Sequence, residues 1–212
     1  MLGLVGAFAA LLLLYSVIRP PSTLMLARWV TFQDVDRRWV PLSQISPRLV
    51  DAVVMSEDGQ FCGHHGVDWG ALKEVVVESD DGPSRGASTI TMQLVKNLFL
   101  WPSRSYVRKG LEIPLALVLD LVWSKRRIME VYLNVAEWGE GVFGAEAASQ
   151  AAFGHAAATL SAREAALLAT ALPSPVRRHA GRPSRGHQRL AVRVLGRMGG
   201  AEPWVACVQA GR

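Results

Sequence analysis

The sequence predicts a mainly α fold, one domain preceded by a single N-terminal transmembrane helix, and three observations lead there. Apolar residues recur at helical spacing, with almost no period-two alternation of the kind strands require. Helix-start signals, Ser46-Pro47 and Ser161 with Glu164 three residues on, stand directly before such runs. Residues 2–18 carry no charge and are mostly Leu, Ala, Val and Phe. With 212 residues, half of them hydrophobic, the chain can bury one core but not two comfortable ones.

Taken in order, residues 1–20 read as a membrane anchor. As a helix, residues 2–18 would extend roughly 25 Å, at the short end for a hydrocarbon core of about 30 Å. A cleaved signal peptide is the alternative, but no basic n-region and no small-x-small site precedes Pro20. The first basic residues, Arg19, Arg28, Arg37 and Arg38, all follow the apolar stretch, which by charge bias alone would keep the body cytoplasmic. Residues 21–44 mix aromatics with arginine and lack a clean 3.6 period, so they read as a juxtamembrane connector. Trp29 and Trp39 there suit a membrane interface or a core equally well.

The domain proper is expected over 45–200. Ser46 supplies an N-cap and Pro47 a first-turn proline, and Leu49, Val50, Val53 and Val54 form a stripe running up to Glu57. A second apolar run covers 111–133, with Pro114 near its start or kinking it. Ser161 to Glu164 is a capping box whose helix Pro173 stops, and Leu190, Val194, Leu195 and Met198 mark a last helix that Gly199 can end. Glycine and proline cluster at 82–86, 139–144 and 173–183, which are loops. Residues 201–212 remain as a C-terminal tail.

Net charge is +5, from 23 Lys and Arg against 18 Asp and Glu, so the surface favours anionic partners; nucleic acid, anionic headgroups and pyrophosphates all qualify. The two cysteines, Cys62 and Cys207, are too far apart for a CxxC site. They could pair in an oxidising compartment, and two buried free thiols are the simpler expectation.

Five segments bear on chemistry. EDGQFCGHHG at 57–66 takes adjacent acids from a helix end into a glycine loop with two histidines, where substrate can approach backbone; a solvated helix terminus would look the same. RGASTITMQLVKN at 85–97 opens a helix with small hydroxyl residues, and its free amides are a ready anion site; an ordinary capped amphipathic helix fits too. WPSRSYVRKGLE at 101–112 spaces Arg104, Arg108 and Glu112 by four, on one helical face, as a surface ion-pair ladder also would. WSKRRIMEVYLN at 123–134 adds more cations, and EWGEGVFGAEAASQAAFG at 137–154 runs from a glycine loop into an alanine-rich helix.

In order and spacing these segments closely resemble the signature of the family-51 glycosyltransferases, the peptidoglycan polymerases. Glu57-Asp58-x-x-Phe61-x-x-His64-x-Gly66 is similar to that family's first motif, and Gly86-x-Ser88-Thr89-Ile90-Thr91-x-Gln93 to its second. Arg108-Lys109-x-x-Glu112 resembles the third, and Lys125-x-x-Ile128-x-Glu130-x-Tyr132-Leu133-Asn134 the fourth. The likeness covers about 45–198. Departures occur at Cys62, Ala152 and Ser174, where the family often has other residues; none removes an acid.

The resemblance implies a lysozyme-like single catalytic domain joining lipid II to a growing lipid-linked glycan, with inversion to a β-1,4 bond. It implies Glu57 and Glu112 as catalytic residues, Glu57 being the general base on a sugar hydroxyl. Lys96 and Arg104 would neutralise the departing pyrophosphate, supported by Arg108 and Lys125, while Glu112 orients those cations or a divalent metal such as Mg or Mn. Ser88, Thr89, Gln93 and Asn97, with Asp58 and His64, would bind substrate. Implied partners are lipid II, the glycan, the membrane and cell-wall synthesis proteins, with no nucleic acid, and the implied location is the bacterial inner membrane with a periplasmic body. Two rivals are a lysozyme-like glycan hydrolase and a non-catalytic membrane-tethered scaffold. Cations gathered around Glu112 would serve no purpose in cutting neutral glycan, and no nucleic-acid motif is present.

Overall fold

The computed structural model describes residues 2–77, 88–101 and 105–209. Helix α1 (Leu2–Val17) is followed by α2 (Thr23–Val30), strand β1 (Asp36–Arg37) and a short 3-10 turn over Leu42–Gln44. Then come α3 (Pro47–Glu57), α4 (Trp69–Val77), α5 (Ile90–Phe99), α6 (Tyr106–Val122) and α7 (Lys125–Val135). Strands β2 (Glu137–Gly139) and β3 (Val142–Phe143) lead to α8 (Ala145–Phe153), α9 (Ala162–Ala171), α10 (Arg185–Met198) and α11 (Glu202–Gln209). The mainly α expectation holds, with one small sheet of order β1-β3-β2 whose strands carry no period-two signal.

Helix α9 is the axis of the body. Its Ala165, Ala166, Ala169 and Ala171 leave no side-chain bulk, so α3 and α10 both pack closely on it. The capping box read at its start is present: Ser161 Oγ accepts the Glu164 N–H, and Glu164 returns a bond to the Ser161 N–H at 2.8 Å. At α3 the outcome differs. Ser46 does not cap through its side chain but sends its hydroxyl to the Leu160 carbonyl at 3.1 Å, joining the start of α3 to the start of α9.

A second group of helices, α5, α6 and α7, packs beside the first. The run read as one helix over 111–133 is two, because Ser124 leaves the helical region (φ −65°, ψ 150°) and caps α7 through the Arg127 N–H. Pro114 is accommodated inside α6.

The segment 21–44, read as a connector, is built into this body. Met25 and Leu42 are fully buried, β1 pairs with β3, and the Asn134 side chain bonds both the N–H and the C=O of Val40 at 3.0 and 2.9 Å. Helix α1 lies against α6, with Leu12 buried, Tyr15 stacked on Phe99, and the Trp123 indole N–H donating to the Leu12 carbonyl at 3.0 Å. At 16 residues it is about 24 Å long, and no helix among the described residues is long and apolar enough to cross a membrane. Residues 201–209 are not a loose tail either, since Val205 and Val208 of α11 are buried. The expectation of free thiols is overturned: Cys62 and Cys207 form a disulfide with Cα atoms 5.7 Å apart, joining α11 to the loop after α3.

Candidate active site

Glu57 is the last residue of α3, and the chain turns there because Asp58 adopts a non-helical conformation (φ −158°, ψ 74°). One Glu57 carboxylate oxygen accepts the Ser56 hydroxyl at 2.8 Å; the other accepts the Gln93 amide at 3.2 Å. Gln93 is fixed in turn by the Tyr132 hydroxyl, which donates to its carbonyl oxygen at 2.9 Å. Burial pushes the Glu57 carboxyl above the ordinary carboxylate range, against the opposing pull of these hydrogen bonds and of the Arg178 and Lys96 charges. Tyr132, wholly buried beside Glu57 and Asp58, is held well above a normal phenol and stays a donor.

Asp58 does different work. Its carboxylate takes the Ile90 N–H at 2.9 Å and the His64 ring nitrogen at 2.8 Å, so both oxygens are spent inside the protein. The first turn of α5, read as an anion site, is thus already satisfied: Asp58 fills it, while Thr89 caps the Met92 N–H and donates to the Gly66 carbonyl at 2.6 Å. Buried Asp58 and Thr89, with part-buried His64, thus fasten α5 to the loop after Glu57. Lys125 is held within the protein too. Its ammonium lies 2.7 Å from Asp120, bonds the His64 carbonyl at 2.7 Å and sits over the Phe61 ring, so it secures the same loop. Gly66 closes that loop at φ +79°, where a Cβ would come within 2.5 Å of the Ala116 carbonyl oxygen on α6.

The cations gather around Glu112, buried on α6. Its two oxygens bind Arg108 and Lys109, the latter at 2.9 Å, and Lys109 also reaches the Ser88 hydroxyl at 2.6 Å. Lys96 on α5 lies in the field of Glu112, Arg108, Lys109 and Glu57, and burial lowers its pKa. Arg104 lies outside the described residues. Asn97 stands one turn beyond Gln93, and its carbonyl accepts the Thr23 hydroxyl at 3.2 Å.

A cleft of about 890 Å³ is lined by Glu57, Ser88, Gln93 and Lys96 on one side and by Arg178, Arg193 and Arg197 on the other, and the Glu112 cluster reaches its edge through the Lys109–Ser88 bond. Sequence reasoning missed the second wall. Arg178 comes from the loop 173–183 and is pinned by a bond to the Thr170 carbonyl at 2.8 Å. Its proximity to Glu57 arises only because α9 and α10 fold back on α3. The four-residue spacing of the arginines on α10 was visible, but nothing local tied it to Glu57.

A protein-held divalent cation does not fit this donor set. Both Glu112 oxygens are taken by cations, and no group of three His, Cys, Asp or Glu side chains converges among the described residues.

Residues 24–199 match the model of the transglycosylase family. The biosynthetic peptidoglycan transglycosylase of Agrobacterium fabrum is 61% identical over 192 residues, covering 90% of this chain and 85% of that protein. The protein of the same description from Brucella suis is 56% identical over 202 residues, 94% of this chain and 90% of the relative. That from Rhizobium meliloti is 54% identical over 198 residues, 93% and 84% respectively.

Proposed function

The chain belongs to the transglycosylase family, and from that premise we propose that the Glu57 cleft joins lipid II to a lipid-linked glycan, extending peptidoglycan strands. One observation carries this reading: Glu57, a carboxylate with raised pKa, shares one cleft with Lys96 and with Ser88, and through these two residues adjoins the cations built around a second, buried carboxylate. Glu57 accepts the proton of an acceptor sugar hydroxyl as that oxygen attacks the donor's anomeric carbon. The carbon–oxygen bond to the lipid pyrophosphate breaks, and the electron pair leaves with the phosphate. Lys96, Arg108 and Lys109 meet the charge that grows there. Glu112 orients Arg108 and Lys109, keeping both poised without a metal. Attack from the face opposite the leaving group inverts the anomeric centre, giving a β bond from an α donor.

A hydrolase reading does not use the cationic wall, since neutral glycan releases no phosphate. Incubating the purified protein with labelled lipid II is expected to yield lysozyme-sensitive polymer. Release of fragments from finished peptidoglycan with no polymer formed would overturn the assignment.

The same proposal places the body outside the cytoplasmic membrane of a bacterium, anchored through its N-terminal region. Supporting this are the apolar residues left exposed on α1, α2 and α6, among them Val17, Trp29 and Val118, with Phe32 98% and Leu121 87% exposed. Trp69 and Trp101 add aromatic surface suited to an interface. The disulfide supports an oxidising compartment, against the charge bias of the arginines that follow α1.

A further inference from the structure

Helix α10 carries Arg185, Arg189, Arg193 and Arg197 and no acidic residue. At 1.5 Å per residue the four guanidinium groups follow one another about every 6 Å, over about 18 Å of helix. All four are exposed, and among the described residues none has an ion-pair or side-chain hydrogen-bond partner. Like charges four apart on a helix repel, so such a row weakens the helix that bears it unless an anion lies along it.

The row is continuous with the active site. Arg193 and Arg197 line the Glu57 cleft, while Arg193, Arg189 and Arg185 line an adjoining groove of about 1060 Å³, with Arg178 common to both. Helix α10 packs mainly on α9 and α3 and has only Val192 and Leu195 among the large exposed apolar residues, most of which lie on or beside α1, α2 and α6. An anion on α10 is therefore something leaving the cleft away from the apolar face, rather than a headgroup beside it. Guanidinium suits carboxylate, which it binds through two parallel hydrogen bonds.

We propose that the α10 arginines form a track for the peptide-bearing glycan strand, holding the free carboxylates of its stem peptides as the strand passes out of the Glu57 cleft. This rests on the polymerase reading above. It adds a determinant of strand retention that lies outside the reacting centre.

The test measures binding of fluorescent, lipid-free glycan strands by anisotropy, using strands with free carboxylates and strands whose carboxylates are capped as amides. Wild-type protein is expected to bind the free strands at least tenfold more tightly than the capped ones, with a steep loss as salt rises. Arg185→Gln with Arg189→Gln should lose most of that difference while binding capped strands as wild type does, and the double Lys variant should keep part of it. The thermal midpoint of the Gln variant should be unchanged or higher, because repulsion along α10 is relieved, so weaker binding would not reflect unfolding.

Equal binding by variant and wild type, or an equal loss on both kinds of strand, would overturn the track. So would a loss seen only with anionic phospholipid vesicles, which would reassign the row to a membrane surface. Polymerisation of lipid II by the wild type separates the two readings. If polymer forms and strand binding ignores the arginines, the track fails alone; if no polymer forms, both fail.

Discussion

Burial makes Glu57 a stronger base than a surface glutamate and also a source of instability. Its folded pKa is raised, so between about 4.5 and that raised value the folded state holds more proton than the unfolded one, and stability falls as pH rises through the window. Glu57→Gln removes this loss. The variant is expected to be at least as stable as wild type at pH 7, yet slower in polymerisation by 10²-fold or more. Denaturant titration beside initial rates checks both, and a Gln variant retaining over a tenth of the rate would exclude Glu57 as the base. The acidic limb of the wild-type rate profile should lie above the ordinary carboxylate range. Lys96 follows the same logic with opposite charge. Since burial lowers its pKa, Lys96→Met should leave the thermal midpoint unchanged or raised while cutting the rate about 10²-fold, through loss of a charge partner for the leaving group. At this scale the grouping of Glu57, Gln93 and Lys96 in one cleft was legible because their motifs sit in short stretches with recognisable spacing. What no local reading could show is that Asp58, His64, Thr89 and Lys125 bond one another's surroundings within the protein: polar groups that fasten a loop and polar groups that hold a ligand are the same residue types.

Among the elements, the loop between α3 and α4 is the one on which the site depends most directly. It is held by Asp58 at the start of α5, by Lys125 from α7, and by Gly66 against α6. Gly66→Ala would force a side chain into a left-handed conformation and onto a backbone oxygen that cannot yield easily. It is expected to cost about 2 kcal/mol or more and to lower activity, because Gln93 and Lys96 ride on the helix this loop positions. A variant melting within a degree of wild type would show that α6 gives way instead. The helices themselves were largely legible from apolar period and caps, as the Ser161 box illustrates. The break between α6 and α7 was not, because apolar residues continue across Trp123 and the only local marker is the Ser124 hydroxyl. The short strands were hidden for a similar reason: two or three residues cannot show a period.

Across the whole molecule, two helix groups meet over the cleft, and the ends of the chain are tied into it by contacts of long reach. Residues far apart in sequence, such as Arg178 and Glu57, or Cys62 and Cys207, meet only in the finished fold, which is why the arginine wall and the disulfide escaped a local reading. Cys207→Ser is expected to lower stability by about 2–4 kcal/mol, since the bond closes a loop of 145 residues. Guanidinium titration should show reductant bringing the wild type to the same midpoint and leaving the variant unaffected; identical midpoints without reductant would mean that the bond does not form. The pairing also sets an order on the life of the chain. Cys62 follows Glu57 by five positions, but its partner in α11 is synthesised 145 residues later. Every catalytic side chain thus exists well before the loop beside it can be sealed. A chain broken off ahead of α11 would have its acid in place and its latch missing. Alkylation of Cys62 in chains stalled at increasing length would register that interval directly, falling silent once α11 is added.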